Sequence, residues 1–119
     1  MKLIKLMSYA EGRWLEPNGA LNDIVSAVTD EPVAQVGSGA RDFAAMLTYA
    51  RSVGGPALRT LTFHQRARIL KALAEAIMAR KEELYELSYE TGATRADGWI
   101  DIEGGAGTLF AYSSKGRRE

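Results

Sequence analysis

Thr62-FHQRARILKALAEAIMARKEELYELSYETGATR-Ala96 is the stretch of sequence that decides the fold. Thr62 stands three residues before Gln65, which is the spacing of a capping box and stabilises a helix start by about 1 kcal/mol. Behind it, apolar residues recur at helical spacing and predict one broad buried stripe. The stripe consists of Ala67, Leu70, Leu73, Ala74, Ile77 and Met78. The sequence therefore predicts an amphipathic helix that begins directly after Thr62.

Two further helices are predicted towards the C-terminus. Residues 81–91 carry Leu84 and Leu87 at inward-facing spacing, and Gly92 is placed as the C-cap glycine of that helix. A last helix is predicted over residues 95–114, with apolar residues along one face. That face consists of Trp99, Ile102, Ala106, Leu109 and Phe110.

The residues before Arg41 favour short strands and turns. Three strands are predicted from β-branched and aromatic residues, and they are too few to build the parallel sheet of a nucleotide-binding fold. They span Ser8 to Leu15 with a turn or bulge at Gly12, Asp23 to Thr29, and Val33 to Val36. Turns are predicted at residues 17–19, 30–32 and 37–39 from their Pro, Asn, Asp and Gly content.

From Arg41 the apolar spacing becomes helical, and the run Gly54-Gly55-Pro56 is expected to end this first helix. We therefore predict a mostly α-helical chain in two parts. Residues 1–39 form a short β-hairpin or meander, and residues 40–119 form four helices.

Composition excludes several classes of protein. The 119 residues include 15 basic and 15 acidic ones, so a net charge of zero gives no indication of nucleic-acid or membrane-surface binding. The absence of cysteine excludes disulfides, thiolate metal sites and a cysteine nucleophile within this chain. The opening residues lack the apolar core of a signal peptide, so we expect a cytoplasmic protein.

Two glycine clusters are candidates for phosphate binding. Val36-Gly-Ser-Gly39 lies between a predicted strand and a helix, but Asp42 occupies the position where a dinucleotide fingerprint needs its third glycine. Because an acid there repels phosphate, Ser38 or Asp42 is expected to cap the helix instead. Gly104-Gly-Ala-Gly107 lies inside a helical pattern, and this favours close packing of another helix or strand over a phosphate loop.

The other polar candidates have no partners at catalytic spacing. His64 is expected to be an exposed residue of a first helical turn, because one histidine makes neither a catalytic pair nor a metal site. Asp97 and Asp101, with Glu103 nearby, could act as acids or hold a hard cation, but they are more typical of a solvated face. Two serines also lack a neighbouring base in the sequence: Ser113 and Ser114. We therefore predict no catalytic, cofactor-binding or metal-binding residues in this chain.

The run from Thr62 to Ala96 resembles the N-terminal helices of the aldehyde dehydrogenase superfamily. There a capping Ser or Thr precedes an Arg-x-x-x-Leu helix and a second helix with Glu-Glu-Leu and Glu-Thr-Gly. Here the matching residues are Thr62, Arg66, Leu70, residues 82–84 and residues 90–92. The segments 12–14 and 30–36 resemble the opening hairpin of the family.

Three stretches resemble more closely the dehydrogenase half of the bifunctional proteins of phenylacetate degradation and their ring-cleavage semialdehyde dehydrogenase relatives in aerobic benzoate breakdown. They are residues 54–67, 91–113 and 116–119, and Asp101 to Phe110 is the most specific part. The resemblance covers about residues 9–119.

The resemblance implies an α/β parent enzyme that oxidises a coenzyme A-linked semialdehyde with NAD or NADP. The family's catalytic cysteine, glutamate base and oxyanion-hole asparagine correspond to no residue of this chain. The resemblance also implies a cytoplasmic homo-oligomer, a last helix that brings Phe110 or Ser114 near the substrate tunnel, and a cation beside Glu103.

Two hypotheses follow for the chain itself. In the first, it is an N-terminal fragment of an aldehyde dehydrogenase, inactive and without bound cofactor when alone, whose partner is the rest of the polypeptide. In the second, it is a stand-alone, non-catalytic interaction or regulatory module derived from the same family. The first is favoured because the hairpin and the face from Trp99 to Phe110 are expected to need outside partners.

Overall fold

A computed structural model describes residues 3–37 and 39–118, and the chain divides into the units Met1–Ala57 and Leu58–Glu119. The first unit begins with five short strands. They are β1 Ile4–Lys5, β2 Ser8–Ala10, β3 Arg13–Leu15, β4 Leu21–Val25 and β5 Pro32–Gly37. In the three-stranded sheet, β5 lies between β1, which is parallel to it, and β4, which is antiparallel. The strands β2 and β3 form a separate antiparallel hairpin.

The turns of this unit follow from local side-chain chemistry. Glu11 and Gly12 both have positive φ, so residues predicted as one strand with a turn at Gly12 form the two strands of a tight hairpin. The predicted strand from Asp23 to Thr29 is wrong beyond Val25. The buried Ser26 hydroxyl accepts hydrogen bonds from the backbone N–H groups of residues 28 and 29, and this competes with the strand ladder and begins a turn.

The first helical segment runs past its predicted end. It consists of α1 Phe43–Tyr49, a π-helical stretch Ala50–Gly54 and α2 Gly55–Arg59. Pro56 has no backbone N–H and its ring clashes with the preceding turn of a regular α-helix. A π-helical stretch, which has a wider turn, directly precedes Pro56, and the helix continues through Gly54-Gly55-Pro56.

The second unit consists of three helices. They are α3 Phe63–Ala79, α4 Lys81–Tyr89 and α5 Arg95–Arg118. The predicted capping box is confirmed: the Gln65 N–H donates to Thr62 Oγ1 at 3.2 Å, and the Thr62 N–H donates to Gln65 Oε1 at 2.8 Å. Gly92 follows α4 with a φ of 82°, as expected of a glycine that ends a helix, but the helix ends at Tyr89, before the predicted residue 91, and its C-cap is Glu90.

Small residues set the packing of α3 against α5. Ala67 and Ala74 of α3 and Ala106 of α5 are buried. A Cβ atom on Gly116 would lie only 2.9 Å from the Cβ of Ala67, so a glycine is needed at this crossing. Short strands followed by four helical segments confirm the predicted fold class.

Several details of the predicted burial are wrong. Leu73 and Leu87 were expected to face inward, yet each is exposed, and α5 continues four residues past Ser114. Tyr85 is buried in place of Leu87. The cause is that helical periodicity identifies an apolar face but not the element that covers it.

Candidate functional site

Gly37, the last residue of β5, and Gly39 pack closely against the loop at Asn18. The Asn18 backbone crosses directly over them: a Cβ atom on Gly37 would lie 2.6 Å from the Asn18 carbonyl oxygen, and one on Gly39 would lie 2.6 Å from Asn18 Oδ1. The Gly39 N–H donates to the Asn18 carbonyl at 3.0 Å. These residues therefore do not fit the pyrophosphate of a nicotinamide cofactor.

The helix after this turn is capped as predicted. The Ala45 N–H donates to Asp42 Oδ1 at 2.9 Å, so Asp42 closes the N-terminus of α1. Ser38, the other predicted cap, lies outside the described residues.

The glycine cluster of α5 meets no close neighbour in the described part of the chain. A Cβ atom on Gly105 or Gly107 would find nothing within 4 Å, and one on Gly104 would find only the Trp99 carbonyl at 3.9 Å. Only Ala106 of this cluster is buried. The expected close approach of another helix or strand is therefore wrong for the described residues.

The predicted polar candidates lie apart from one another. His64 is exposed in the first turn of α3, and Asp101 is exposed on α5. Asp97 caps the start of α5, because its Oδ2 accepts from the Thr94 hydroxyl at 2.7 Å and from the Thr94 N–H at 3.1 Å. These bonds lower the pKa of the Asp97 carboxyl. The described residues contain no group of three His, Asp or Glu side chains that could hold a metal ion.

The C-terminal part of α5 contains the other candidates. Ser113 is fully buried, and its hydroxyl has no hydrogen-bond partner among the described residues. Ser114 and Phe110 are half-buried. Among the described residues, no hydrogen bond joins the Ser113 hydroxyl to a base.

Glu103 is the centre of a polar cluster that sequence reasoning missed. Its carboxylate accepts a 2.6 Å hydrogen bond from the Tyr85 hydroxyl and a 3.1 Å bond from Lys81 Nζ, so it joins α4 to α5. The Tyr85 bond, followed by the Lys81 bond, lowers the pKa of Glu103. Burial, together with the bond to the ionised Glu103, raises the pKa of Tyr85. Both groups are thus held in their neutral-pH forms, and the cluster is a structural clamp rather than an acid–base pair.

Arg95 extends this cluster into an open groove. Its guanidinium lies 4.1 Å from the centre of the Tyr85 ring and pairs with Glu82 at 3.2 Å, which raises the pKa of Arg95. The groove has a volume of about 570 Å³ and is lined on one side by Glu82, Glu86 and Glu90. No local sequence signal points to the cluster, because Tyr85 and Glu103 are 18 residues apart and meet only through the packing of α4 against α5.

The described helices include none that is both long and apolar enough to span a lipid bilayer.

Comparison with known proteins defines the class. Residues 14–119 match the model of the aldehyde dehydrogenase family, so the chain belongs to that family. It is similar to a 3,4-dehydroadipyl-CoA semialdehyde dehydrogenase from Aromatoleum evansii, with 36% identity over 115 residues. The match covers 96% of this chain and 22% of that relative, so the chain spans about a fifth of the relative's length. The family match and this similarity confirm the resemblance drawn from the sequence motifs. Aldehyde dehydrogenases are oxidoreductases that generally use NAD or NADP.

Proposed function

We propose that this chain is the N-terminal portion of an NAD(P)-dependent aldehyde dehydrogenase that oxidises a coenzyme A-linked semialdehyde in aerobic breakdown of aromatic compounds of the phenylacetate or benzoate type. The observation that carries the proposal is 36% identity, across nearly the whole chain, to a dehydrogenase of a CoA-linked semialdehyde. The rest of such a polypeptide, within a cytoplasmic homo-oligomer, is the proposed partner.

The chain alone is proposed to be inactive and to bind neither cofactor. Two features support this. The chain has no cysteine to form the thiohemiacetal expected in this family. Asn18 packs closely against the glycines on either side of Ser38, in the turn between β5 and α1.

A full-length chimera tests the proposal. The 119 residues replace the matching N-terminal region of the Aromatoleum dehydrogenase, and reduction of NAD and of NADP is followed by absorbance. We expect the chimera to oxidise 3,4-dehydroadipyl-CoA semialdehyde in preference to the same semialdehyde without coenzyme A. The isolated chain is expected to reduce neither cofactor. Turnover by the isolated chain, or a folded chimera that prefers the free semialdehyde, would contradict the proposal.

The rival hypothesis of a stand-alone module makes a different prediction. Light scattering and circular dichroism on the isolated chain would then show a monodisperse species with a cooperative melt, and the chimera would be folded but inactive. An active chimera, together with an isolated chain that unfolds less cooperatively than the chimera, supports the dehydrogenase fragment.

A further inference from the structure

The loop between β3 and β4 contains an asparagine that is followed directly by a glycine. Asn18 and Gly19 are both exposed, and Gly19 has a φ of 75°. Glycine has no side chain that could shield its backbone nitrogen. Within residues 3–37 and 39–118, no hydrogen bond occupies the Gly19 N–H. This backbone nitrogen is therefore open to react with the side chain that precedes it.

Asn18 anchors its loop to the turn between β5 and α1. Its side-chain Nδ2 donates to the Ala40 carbonyl at 3.2 Å, and its own carbonyl accepts from the Gly39 N–H at 3.0 Å. The side-chain bond is exposed and joins two neutral groups. Because a bond of that kind is weak, it slows a reaction of the Asn18 amide by no more than about tenfold.

We propose that Asn18 is a site of spontaneous modification, at which the side-chain amide is lost as ammonia and water is the only other reactant. Asparagine is one of the thermolabile residues of proteins. The reaction requires only the chain itself, so the proposal goes beyond the proposed function and is independent of it.

The reaction has two steps, and neither is a redox step. In the first, the Gly19 nitrogen attacks Cγ of Asn18, and the bond from Cγ to Nδ2 breaks. The proton of the Gly19 nitrogen leaves with the amide group as ammonia, and a cyclic imide remains. In the second step, the hydroxyl of water adds to one imide carbon, and the bond from that carbon to the Gly19 nitrogen breaks and returns a proton to the nitrogen. Opening at Cγ gives aspartate, and opening at the main-chain carbon gives isoaspartate.

Two comparable positions are protected by backbone hydrogen bonds. Asn22 lies in β4, where its pairing with Val36 keeps the backbone extended in the sheet. Asp97 is also followed by a glycine, but Gly98 is buried in α5 and its N–H donates to the Thr94 carbonyl at 2.9 Å. Reaction at either position needs local opening of a strand or helix, whereas Asn18 reacts in the folded chain.

Both products are expected to weaken the anchor at Asn18. Aspartate has an oxygen in place of Nδ2, so two acceptors face each other where Asn18 now donates to Ala40. Isoaspartate adds a methylene group to the main chain. Gly37 and Gly39 leave little space for it, since a Cβ atom on either would lie 2.6 Å from an Asn18 oxygen. Modification should therefore loosen the loop from the turn after β5.

The reaction is measured on the unsubstituted 119-residue chain by peptide mass spectrometry. Samples are kept for several weeks at neutral pH, either folded or in urea, in water enriched in heavy oxygen. We expect Asn18 to convert in the folded chain at no less than about a tenth of its rate in urea, because only one weak bond opposes the reaction. Asn22 is the matched control, and folding should slow its conversion by more than about tenfold. Each asparagine is compared with itself, so the effect of its neighbour in the sequence cancels.

Ring closure is recognised by its products. We expect a mixture of aspartate and isoaspartate at residue 18, each with a heavy oxygen atom taken from water. Asn18→Gln keeps the amide but moves it one bond further from the Gly19 nitrogen, so residue 18 should then stay unconverted. Aspartate without isoaspartate would mean direct hydrolysis and would overturn the proposal. Folding that slows both asparagines equally would overturn it too.

Hydrogen exchange tests the effect on the loop. Asn18→Asp reproduces one product, and Asn22→Asp introduces the same charge in β4 as the control. The Gly39 N–H donates to the Asn18 carbonyl, and we expect it to exchange at least about fivefold faster in Asn18→Asp than in the unsubstituted chain. Unchanged exchange of Gly39 in Asn18→Asp, or an equal increase in both variants, would contradict the loosening of the loop.

Discussion

Tyr85 and Glu103 join α4 to α5 through a hydrogen bond of 2.6 Å from the phenol hydroxyl to the carboxylate. Lys81 reaches the same carboxylate at 3.1 Å, and the Arg95 guanidinium lies over the Tyr85 ring. The clamp thus contributes both charge-assisted hydrogen bonds and aromatic packing where α4 meets α5.

Tyr85→Phe should weaken this contact. The ring and its packing remain, but Glu103 loses one donor and keeps only Lys81. Since hydrogen bonds to charged groups are stronger than neutral ones, we expect a melting temperature lowered by a few degrees. Thermal unfolding followed by circular dichroism measures it. Tyr89→Phe, at an exposed tyrosine of the same helix, is the control and should melt like the unsubstituted chain.

The pH dependence of stability should follow the same carboxylate. The pKa of Glu103 is lowered in the folded chain, so its contribution is fully present above the unfolded glutamate pKa of about 4.3 and is lost as the pH falls through the lower folded pKa. Glu103→Gln should therefore flatten the decline of the melting temperature with acid. Asp101→Asn, at an exposed acid of the same helix, is the control. Curves of equal slope for Glu103→Gln and the unsubstituted chain would contradict this account.

The start of α3 offers a test of local stabilisation. Thr62→Ala removes the hydroxyl that accepts from the Gln65 N–H, and the loss of a cap of this kind costs about 1 kcal/mol. Thr62→Ser keeps the hydroxyl and should be near neutral. Urea unfolding, followed by the circular dichroism signal of the helices, measures the free energy of unfolding of both variants. An equal loss for Thr62→Ser would mean that the methyl group, not the cap, is responsible.

Sequence was sufficient for elements that are determined by neighbouring residues. The capping box at Thr62 and the cap at Asp42 are both local, and both are confirmed. The positive φ of Gly92 after α4 is local as well. The strand β1 was missed because two residues, Ile4 and Lys5, carry no periodic signal. They become a strand only by pairing with Ala34 and Gln35, thirty residues away.

Burial was harder to predict than secondary structure. Leu73 and Leu87 have the spacing of core residues, and yet the described chain leaves them half-exposed. The spacing of apolar residues along the sequence shows that a helix has an apolar face. Which element covers that face is decided by the tertiary packing. The clamp at Glu103 was unpredictable for the same reason.

Two glycines of α5 should respond oppositely to the same substitution. Gly105→Ala adds a methyl group into open space inside a helix, so it should stabilise the isolated chain by up to about 1 kcal/mol. Gly116→Ala places a Cβ atom 2.9 Å from that of Ala67 and must push α3 and α5 apart. Overpacking of this kind costs about 1–3 kcal/mol. Urea unfolding of the two variants side by side measures the difference in the free energy of unfolding. An increase for both variants would show that the crossing is looser than the structure indicates.

Ser113 gives the last prediction. Its hydroxyl is fully buried between helices and has no hydrogen-bond partner among the described residues, so it has lost its hydration without compensation. Ser113→Ala removes the unpaired group and favours the helix, and we expect a gain of about 1 kcal/mol in the free energy of unfolding. Ser114→Ala, one residue along on the half-buried side, should gain only the smaller helix-propensity part. A loss of stability in Ser113→Ala would show that the hydroxyl is hydrogen-bonded in solution, and that it contributes to the contact between α3 and α5 instead of weakening it.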